Sequence, residues 1–131
     1  MTIVLFLAIL FVLVLVHELG HFVMAKWTKM RVDEFAIGFP PRLISKRIGE
    51  TAYSLNLLPI GGYVKIFGEN GEDELVPNET EKNRAFTARP RHHQALVLIA
   101  GVVMNVLTAW LIFFAIAMIG TPTIVAEGRK D

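Results

Sequence analysis

Residues 2–25 read TIVLFLAILFVLVLVHELGHFVMA, an apolar run in which His17, Glu18 and His21 are the only ionisable side chains. As a helix that rises 1.5 Å per residue, this run is long enough to cross the ~30 Å hydrocarbon core of a bilayer. Ionisable side chains inside such a segment cost several kcal/mol and usually mark a functional site. The stretch therefore predicts a membrane-spanning helix, residues 1–27, that carries a functional centre.

The three ionisable residues have the spacing of a metal site. Residues 17–21 match the pattern His-Glu-x-x-His, which places both histidines on one helical face, one turn apart, with the glutamate beside them. Zinc held by imidazoles lowers the pKa of a bound water to about 7, and a neighbouring carboxylate can act as general base. The sequence contains no cysteine, so its metal ligands must be His, Asp or Glu. The pattern predicts Zn²⁺ and metal-assisted peptide hydrolysis.

A second apolar run, residues 94–119, also predicts a membrane span. The polar segment between the two runs, residues 26–93, contains most of the Lys and Arg residues of the chain. By the positive-inside rule, loop 26–93 is cytoplasmic and both termini lie on the outer side of the membrane. The net charge of +1 indicates no nucleic-acid partner. The predicted partner is the lipid bilayer, and the predicted fold class is membrane α-helical.

Residues 28–67 predict a small membrane-associated β-element between the two transmembrane helices. Alternating residues over 43–47 and 51–57, with a turn between them, indicate a β-hairpin. Residues 59–62 are rich in proline and glycine and indicate a turn, and a further short strand follows over 63–67. The expectation is an apolar sheet of three or four short strands.

The remaining boundaries follow from composition. Residues 68–91 form an acidic and then basic cytoplasmic loop, residues 92–120 the second transmembrane helix, and residues 121–131 a tail. His92 and His93 stand beside basic residues at the predicted interface, which favours interfacial side chains over metal ligands.

Asn105 is a polar side chain inside the second span. It shares a helical face with Gly101, four residues earlier. An amide in a membrane helix needs a hydrogen-bond partner. The sequence leaves two compatible alternatives open for Asn105, an interhelical hydrogen bond or a group that lines the active-site cavity.

Beyond the metal motif, the sequence resembles the site-2 protease family of intramembrane zinc metalloproteases, in particular its bacterial regulated-intramembrane-proteolysis branch. The resemblance rests on residues 17–22, 38–40, 54–65 and 100–105, so it extends over nearly the whole chain. It implies that His17 and His21 are zinc ligands and that Glu18 is the general base. It also implies that an edge strand of the β-element holds an unwound substrate helix by strand addition. The residues expected to bind substrate are Gly61, Gly62, Tyr63, Val64 and Asn105.

The resemblance also implies what must complete the site. The family's third zinc ligand is an Asp in a later span, within a Leu-Asp-Gly-like motif that this sequence lacks. Many relatives carry a PDZ domain after the second span, about where residues 121–131 stand. The chain is therefore expected to be the N-terminal portion of a longer protease, to bind zinc weakly without the missing C-terminal half, and to be inactive alone.

The expected substrates are transmembrane proteins of the bacterial inner membrane, such as anti-sigma factors or remnant signal peptides. One alternative is a non-catalytic membrane-binding or scaffold fragment that keeps the fold without the third ligand. A second alternative, a soluble zincin, requires that the chain does not partition into detergent.

Overall fold

Two long helices flank a small sheet in the computed structural model, which describes residues 1–71 and 78–120. The elements are α1 (Thr2–Trp27), β1 (Val32–Ile48), β2 (Thr51–Ile66), α2 (Glu79–Lys82) and α3 (Arg91–Ile119). The two long helices predicted from the apolar runs are confirmed. Both are long and apolar enough to cross a membrane by length and composition. The predictions for the tail, residues 121–131, and for the acidic stretch 72–77 lie outside the described residues.

Most of the surface of both long helices is apolar and exposed. Ile3 of α1 is 75% exposed and Phe113 of α3 is 74% exposed. Apolar area left in water costs about 25 cal/mol per Å², and soluble monomers rarely expose large contiguous apolar patches. The surface of these helices therefore suits hydrocarbon better than water.

The prediction of three or four short strands with a turn at residues 59–62 is wrong, because the sheet has two long strands and residues 59–62 continue β2. Glycine explains the difference. Gly38 in β1 and Gly61 in β2 both have positive φ, at 81° and 95°. Glycine adopts this conformation without a steric penalty, so the strands bend at these positions and continue. The turn signal in the sequence marks a bend and not a strand end.

The register shows how two strands form a broader surface. The predicted hairpin is confirmed: it is antiparallel from Ile48↔Thr51 to Arg42↔Asn56. The start of β1 pairs antiparallel with the end of β2, from Val32↔Ile66 to Ile37↔Gly62, and residues 34–37 also face residues 52–55. Residues 34–37 therefore have neighbours on both sides, whereas all the ladder partners of residues 62–65 lie in β1.

The buried core lies where the end of α1, the sheet and the start of α3 meet. It contains Ala25, Met30, Val32, Ile66 and Val97. Next to this core, the two long helices pack closely at one glycine of α1. A Cβ on Gly20 would lie 2.5 Å from the Ala100 carbonyl oxygen and 2.8 Å from Met104 Cγ. This close approach brings α3 against the His-Glu-x-x-His face of α1.

Glu50, in the hairpin turn, links three parts of the chain by ion pairs. Its Oε1 lies 2.8 Å from Lys26 Nζ, at the end of α1, and its Oε2 lies 2.7 Å from Arg84 Nη1 in the segment before α3. Arg84 donates a second hydrogen bond, from Nη2 to Oε1, at 2.8 Å. The hydrogen bonds from Arg84 lower the pKa of Glu50 from its ordinary 4.5 to about 2. Glu50 therefore holds the hairpin against the helix ends.

A Glu50→Gln variant is expected to lower the free energy of unfolding at pH 7 by about 1 kcal/mol, the scale of a partly exposed pair. The folded-state pKa of Glu50 is depressed, so the stabilisation is complete above about 4.5 and is lost as the pH falls towards 2. The difference in unfolding free energy between the variant and the wild type should therefore be smaller at pH 3 than at pH 7. Thermal unfolding in detergent, followed by circular dichroism at both pH values, measures this. Glu79→Gln, at a side chain that is 82% exposed, is the control. An equal difference in unfolding free energy at pH 7 and pH 3 would contradict the stabilising role of the Glu50 ion pairs.

Candidate functional site

The spacing on α1 brings His17, Glu18 and His21 together. One ligand atom from each lies within 4.8 Å of the other two, and all three side chains are half-buried. The two imidazole rings meet edge to face, with centroids 4.6 Å apart and planes at 85°. Within residues 1–71 and 78–120, this is the group of three His, Cys, Asp or Glu residues that could hold a metal ion.

The orientation of His21 is set by α3. Its Nδ1 lies 2.7 Å from the carbonyl oxygen of Val97, which can only accept a hydrogen bond. The Nδ1–H of His21 must therefore donate, and this leaves the lone pair on Nε2 free. Metal-binding histidines are usually oriented by such a bond from the other ring nitrogen.

Asn105 orients His17 from the same helix. The amide nitrogen of Asn105 lies 3.3 Å from His17 Nδ1, and the amide oxygen of Asn105 is buried without a partner among the described residues. The nitrogen and oxygen of an amide are assigned from hydrogen bonding and not from shape. With the amide turned by 180°, the Nδ1–H of His17 donates to the oxygen, and the amide nitrogen takes the buried position that has no partner among the described residues. His17, like His21, then presents Nε2 for a metal. Of the two alternatives for Asn105, the interhelical hydrogen bond is present.

Gly101 leaves the space into which both histidines point. A Cβ at this position would lie 2.7 Å from Nε2 of His17 and 2.7 Å from Nε2 of His21. The two free Nε2 atoms therefore converge on one bare stretch of α3 backbone, and the donor set fits a metal ion there. Sequence reasoning placed Gly101 on the face of Asn105 but assigned it no role. One signal in the sequence could have indicated this role. Gly101 and Asn105 are four residues apart, as His17 and His21 are.

Glu18 lies where two cavities meet. An apolar cavity of about 650 Å³ runs between α1 and residues 59–62 of β2, and Glu18 is the ionisable residue in its lining. A more polar cavity of about 290 Å³ is lined by Glu18, His21 and Glu69, among others. Val64 of β2 lines this polar cavity together with Glu18. The carboxylate is thus placed between an apolar groove, a polar space and a strand edge.

The residues expected to bind substrate divide into two groups. Gly61 and Gly62 line the apolar cavity, and Tyr63 and Val64 line the polar one, so all four lie close to Glu18. Asn105 is on α3 and contacts His17 instead. The structure therefore places residues 61–64 beside Glu18, whereas Asn105 contacts Nδ1 of His17.

An Asn105→Leu variant is expected to lower the zinc affinity about 10- to 100-fold, the usual effect of removing a group that orients a metal ligand. Without the amide, His17 loses the hydrogen bond that fixes its ring. Competition with a chelating indicator in detergent measures the affinity. Thr108→Val is the matched control, because Thr108 bonds only the Met104 carbonyl one turn away. An unchanged affinity in Asn105→Leu would contradict the orienting role.

Comparisons with known proteins show which family and which relatives the chain resembles. The family described as peptidase family M50 matches residues 5–128. A Thermotoga maritima protein named "Putative zinc metalloprotease" is 42% identical over 118 residues, which cover 90% of this chain and 23% of that protein. A similarly named Clostridium perfringens protein is 43% identical over 106 residues, which cover 81% of this chain and 30% of that protein. The chain thus spans less than a third of the length of these two relatives.

Proposed function

The chain belongs to peptidase family M50, the site-2 protease family, and on that premise we propose that it is the N-terminal catalytic portion of an intramembrane zinc metalloprotease. One observation carries the proposal. Glu18 sits beside two histidines whose free nitrogens converge, and it also faces an apolar cavity and a strand edge. A hydrolytic centre for a membrane-embedded peptide needs these features together.

The proposed roles follow from the hydrogen bonds. His17 and His21 hold Zn²⁺ through Nε2, since Nδ1 of each is used in a bond to α3. When bound, zinc supplies Lewis acidity and lowers the pKa of water to roughly 7. Glu18 takes the proton of the attacking water and returns it to the leaving amine. Catalytic zinc sites use three protein ligands, and the third is proposed to be the Asp of a later span that the family implies. Residues 1–131 alone should therefore bind zinc weakly and be inactive.

The proposed substrate is a transmembrane helix that has partly unwound. Its peptide groups, freed from helical hydrogen bonds, need new partners in a medium without water. Among the described residues, the edge at Gly62 and Tyr63 has all its ladder partners in β1, which leaves its other side for an added strand. Substrate side chains would occupy the apolar cavity next to Gly61. Anti-sigma factors and remnant signal peptides are the substrate classes that the resemblance implies.

The proposed location is the bacterial inner membrane, with α1 and α3 as spans, loop 26–93 in the cytoplasm and both termini on the outer side. The exposed apolar surfaces of both helices argue against a soluble zincin. The scaffold alternative predicts that the protein binds membrane substrates and leaves them intact.

The test is to map the cleaved bond. The full-length protease is reconstituted in liposomes with a single-span substrate, and the products are weighed by mass spectrometry. The proposal predicts a cut inside the hydrophobic span that stops with a zinc chelator and returns when zinc is added. Cleavage only outside the span, or cleavage that resists the chelator, would overturn it.

A further inference from the structure

A third cavity, of about 280 Å³, lies away from the metal motif, between the end of α1 and the start of α3. Its lining contains no acidic side chain. Three of its residues carry or can acquire a positive charge, Lys29, Arg89 and His93, and the others are Trp27 and Thr28. The cavity is therefore a cationic space at one end of the two long helices.

No acidic residue of the described part of the chain pairs with the cations of this cavity. Within the described ranges, neither Lys29 nor Arg89 forms an ion pair, whereas Lys26 and Arg84 nearby both pair with Glu50. Arg89 is oriented by its Nη2, which donates to the Lys29 carbonyl oxygen at 2.8 Å. The positive charges of Lys29 and Arg89 are therefore available to an anion in this cavity.

Two buried nitrogens in the same lining lack hydrogen-bond partners among the described residues. They are Nε of Arg89, a donor, and Nδ1 of His93, which donates when it carries a proton. Buried polar atoms are nearly always paired in folded proteins, so an unpaired nitrogen of this kind indicates a missing partner. An acceptor-rich ligand would satisfy both atoms.

The backbone of Lys29 provides an independent observation. Its φ of 60° is the one positive φ of a non-glycine residue in the described part of the chain. Lys29 closes the C-terminus of α1, with Met30 N–H bonded to the Ala25 carbonyl at 2.9 Å, a position where glycine is usual. A lysine here is strained where a glycine would not be. Helix closure therefore does not account for a lysine at this position.

We propose that this cavity binds a phosphate group. Phosphate offers several acceptor oxygens and a negative charge, which suits the donors of Lys29, Arg89 and His93. The α3 N-terminus, which starts at Arg91, adds a favourable dipole. Trp27, at the rim, is 71% exposed at the end of an apolar helix, the usual depth of interfacial tryptophans. The group comes either from the headgroup of an anionic phospholipid or from free phosphate in the cytoplasm.

The experiment has two arms, both with purified residues 1–131 and neither dependent on protease activity. In the first arm, nanodiscs contain phosphatidylglycerol and phosphatidylcholine, and native mass spectrometry gives the ratio of the two lipids retained. In the second arm, inorganic phosphate is titrated into protein in neutral detergent and followed by calorimetry. Wild type is expected to enrich phosphatidylglycerol at least threefold if the source is lipid, or to bind inorganic phosphate if the source is soluble.

The key variant is Lys29→Gly, which removes the ammonium group and suits the backbone better than lysine does. It is expected to unfold at the same or a higher temperature and to lose at least tenfold in phosphate affinity, or all of the lipid enrichment. Lys46→Gln is the matched control, because Lys46 is an exposed lysine of β1, outside this cavity. Binding in neither arm would overturn the proposal. An equal loss in Lys46→Gln would also overturn it, since it would indicate general charge attraction.

Discussion

Replacing Glu18 with glutamine is expected to abolish proteolysis by the full-length enzyme while zinc stays bound. Glutamine keeps the shape of the side chain and can still line both cavities, but it cannot take a proton from water. General acid–base catalysis contributes about 10²- to 10⁴-fold, and the cleavage rate should fall by that amount. The histidine nitrogens that face Gly101 are not altered, so zinc content should be unchanged. Cleavage of a single-span substrate in liposomes and zinc content by mass spectrometry measure the two effects.

Glu69→Gln is the matched control for this variant. Glu69 lines the same polar cavity as Glu18 but is not one of the three clustered metal-site residues. It should keep most of the wild-type rate. A Glu18→Gln enzyme that still cuts its substrate at the wild-type rate would contradict the role of Glu18. Loss of zinc in the same variant would instead identify Glu18 as a ligand.

Replacing Gly101 with alanine is expected to lower zinc affinity about as much as loss of a ligand, although no ligand is changed. The added Cβ would lie 2.7 Å from Nε2 of both histidines, in the space that a bound ion is proposed to occupy. The rings cannot swing away without breaking the bonds to Val97 and Asn105. The helices cannot separate easily either, since Gly20 packs directly on the Ala100 carbonyl. We expect a loss of about 100-fold or more, the upper range for disturbance of an outer-shell partner.

Chelator competition measures the zinc affinity of Gly101→Ala, and circular dichroism shows whether both helices persist. Val102→Ala, at the next position, is the control because Val102 is 56% exposed and lies outside the site. This control should bind zinc like wild type. Zinc binding by Gly101→Ala at wild-type affinity would mean that the metal does not lie between the histidines and α3.

The two helices and the metal motif could be predicted because their signals are local. An apolar run of more than 20 residues indicates a membrane-spanning helix. The spacing of His-Glu-x-x-His places both histidines on one face of that helix. The family resemblance, confirmed by the match over residues 5–128, rests on the same motifs. These features need no knowledge of the tertiary contacts.

The features that the sequence did not reveal depend on distant contacts. Gly61 is typical of a turn in the sequence, and its positive φ within the continuous strand β2 shows that the strand bends there and continues. The role of Gly101 depends on which face of α3 meets His17 and His21, which lie 84 and 80 positions earlier in the chain. Periodicity shows that a helix has faces but does not fix which face meets a given partner, because nearly every side of α3 is apolar.

The most direct test of the proposed active site is the position of zinc. Crystals of the full-length protease, measured at the zinc absorption edge, give an anomalous map that locates the ion without reference to activity. The arrangement on α1 predicts a single strong peak about 2.0–2.1 Å from Nε2 of both His17 and His21, next to Gly101 and with Glu18 beside it. A zinc-loaded crystal with its peak elsewhere, or with zinc bound through Nδ1 of either histidine, would contradict the account.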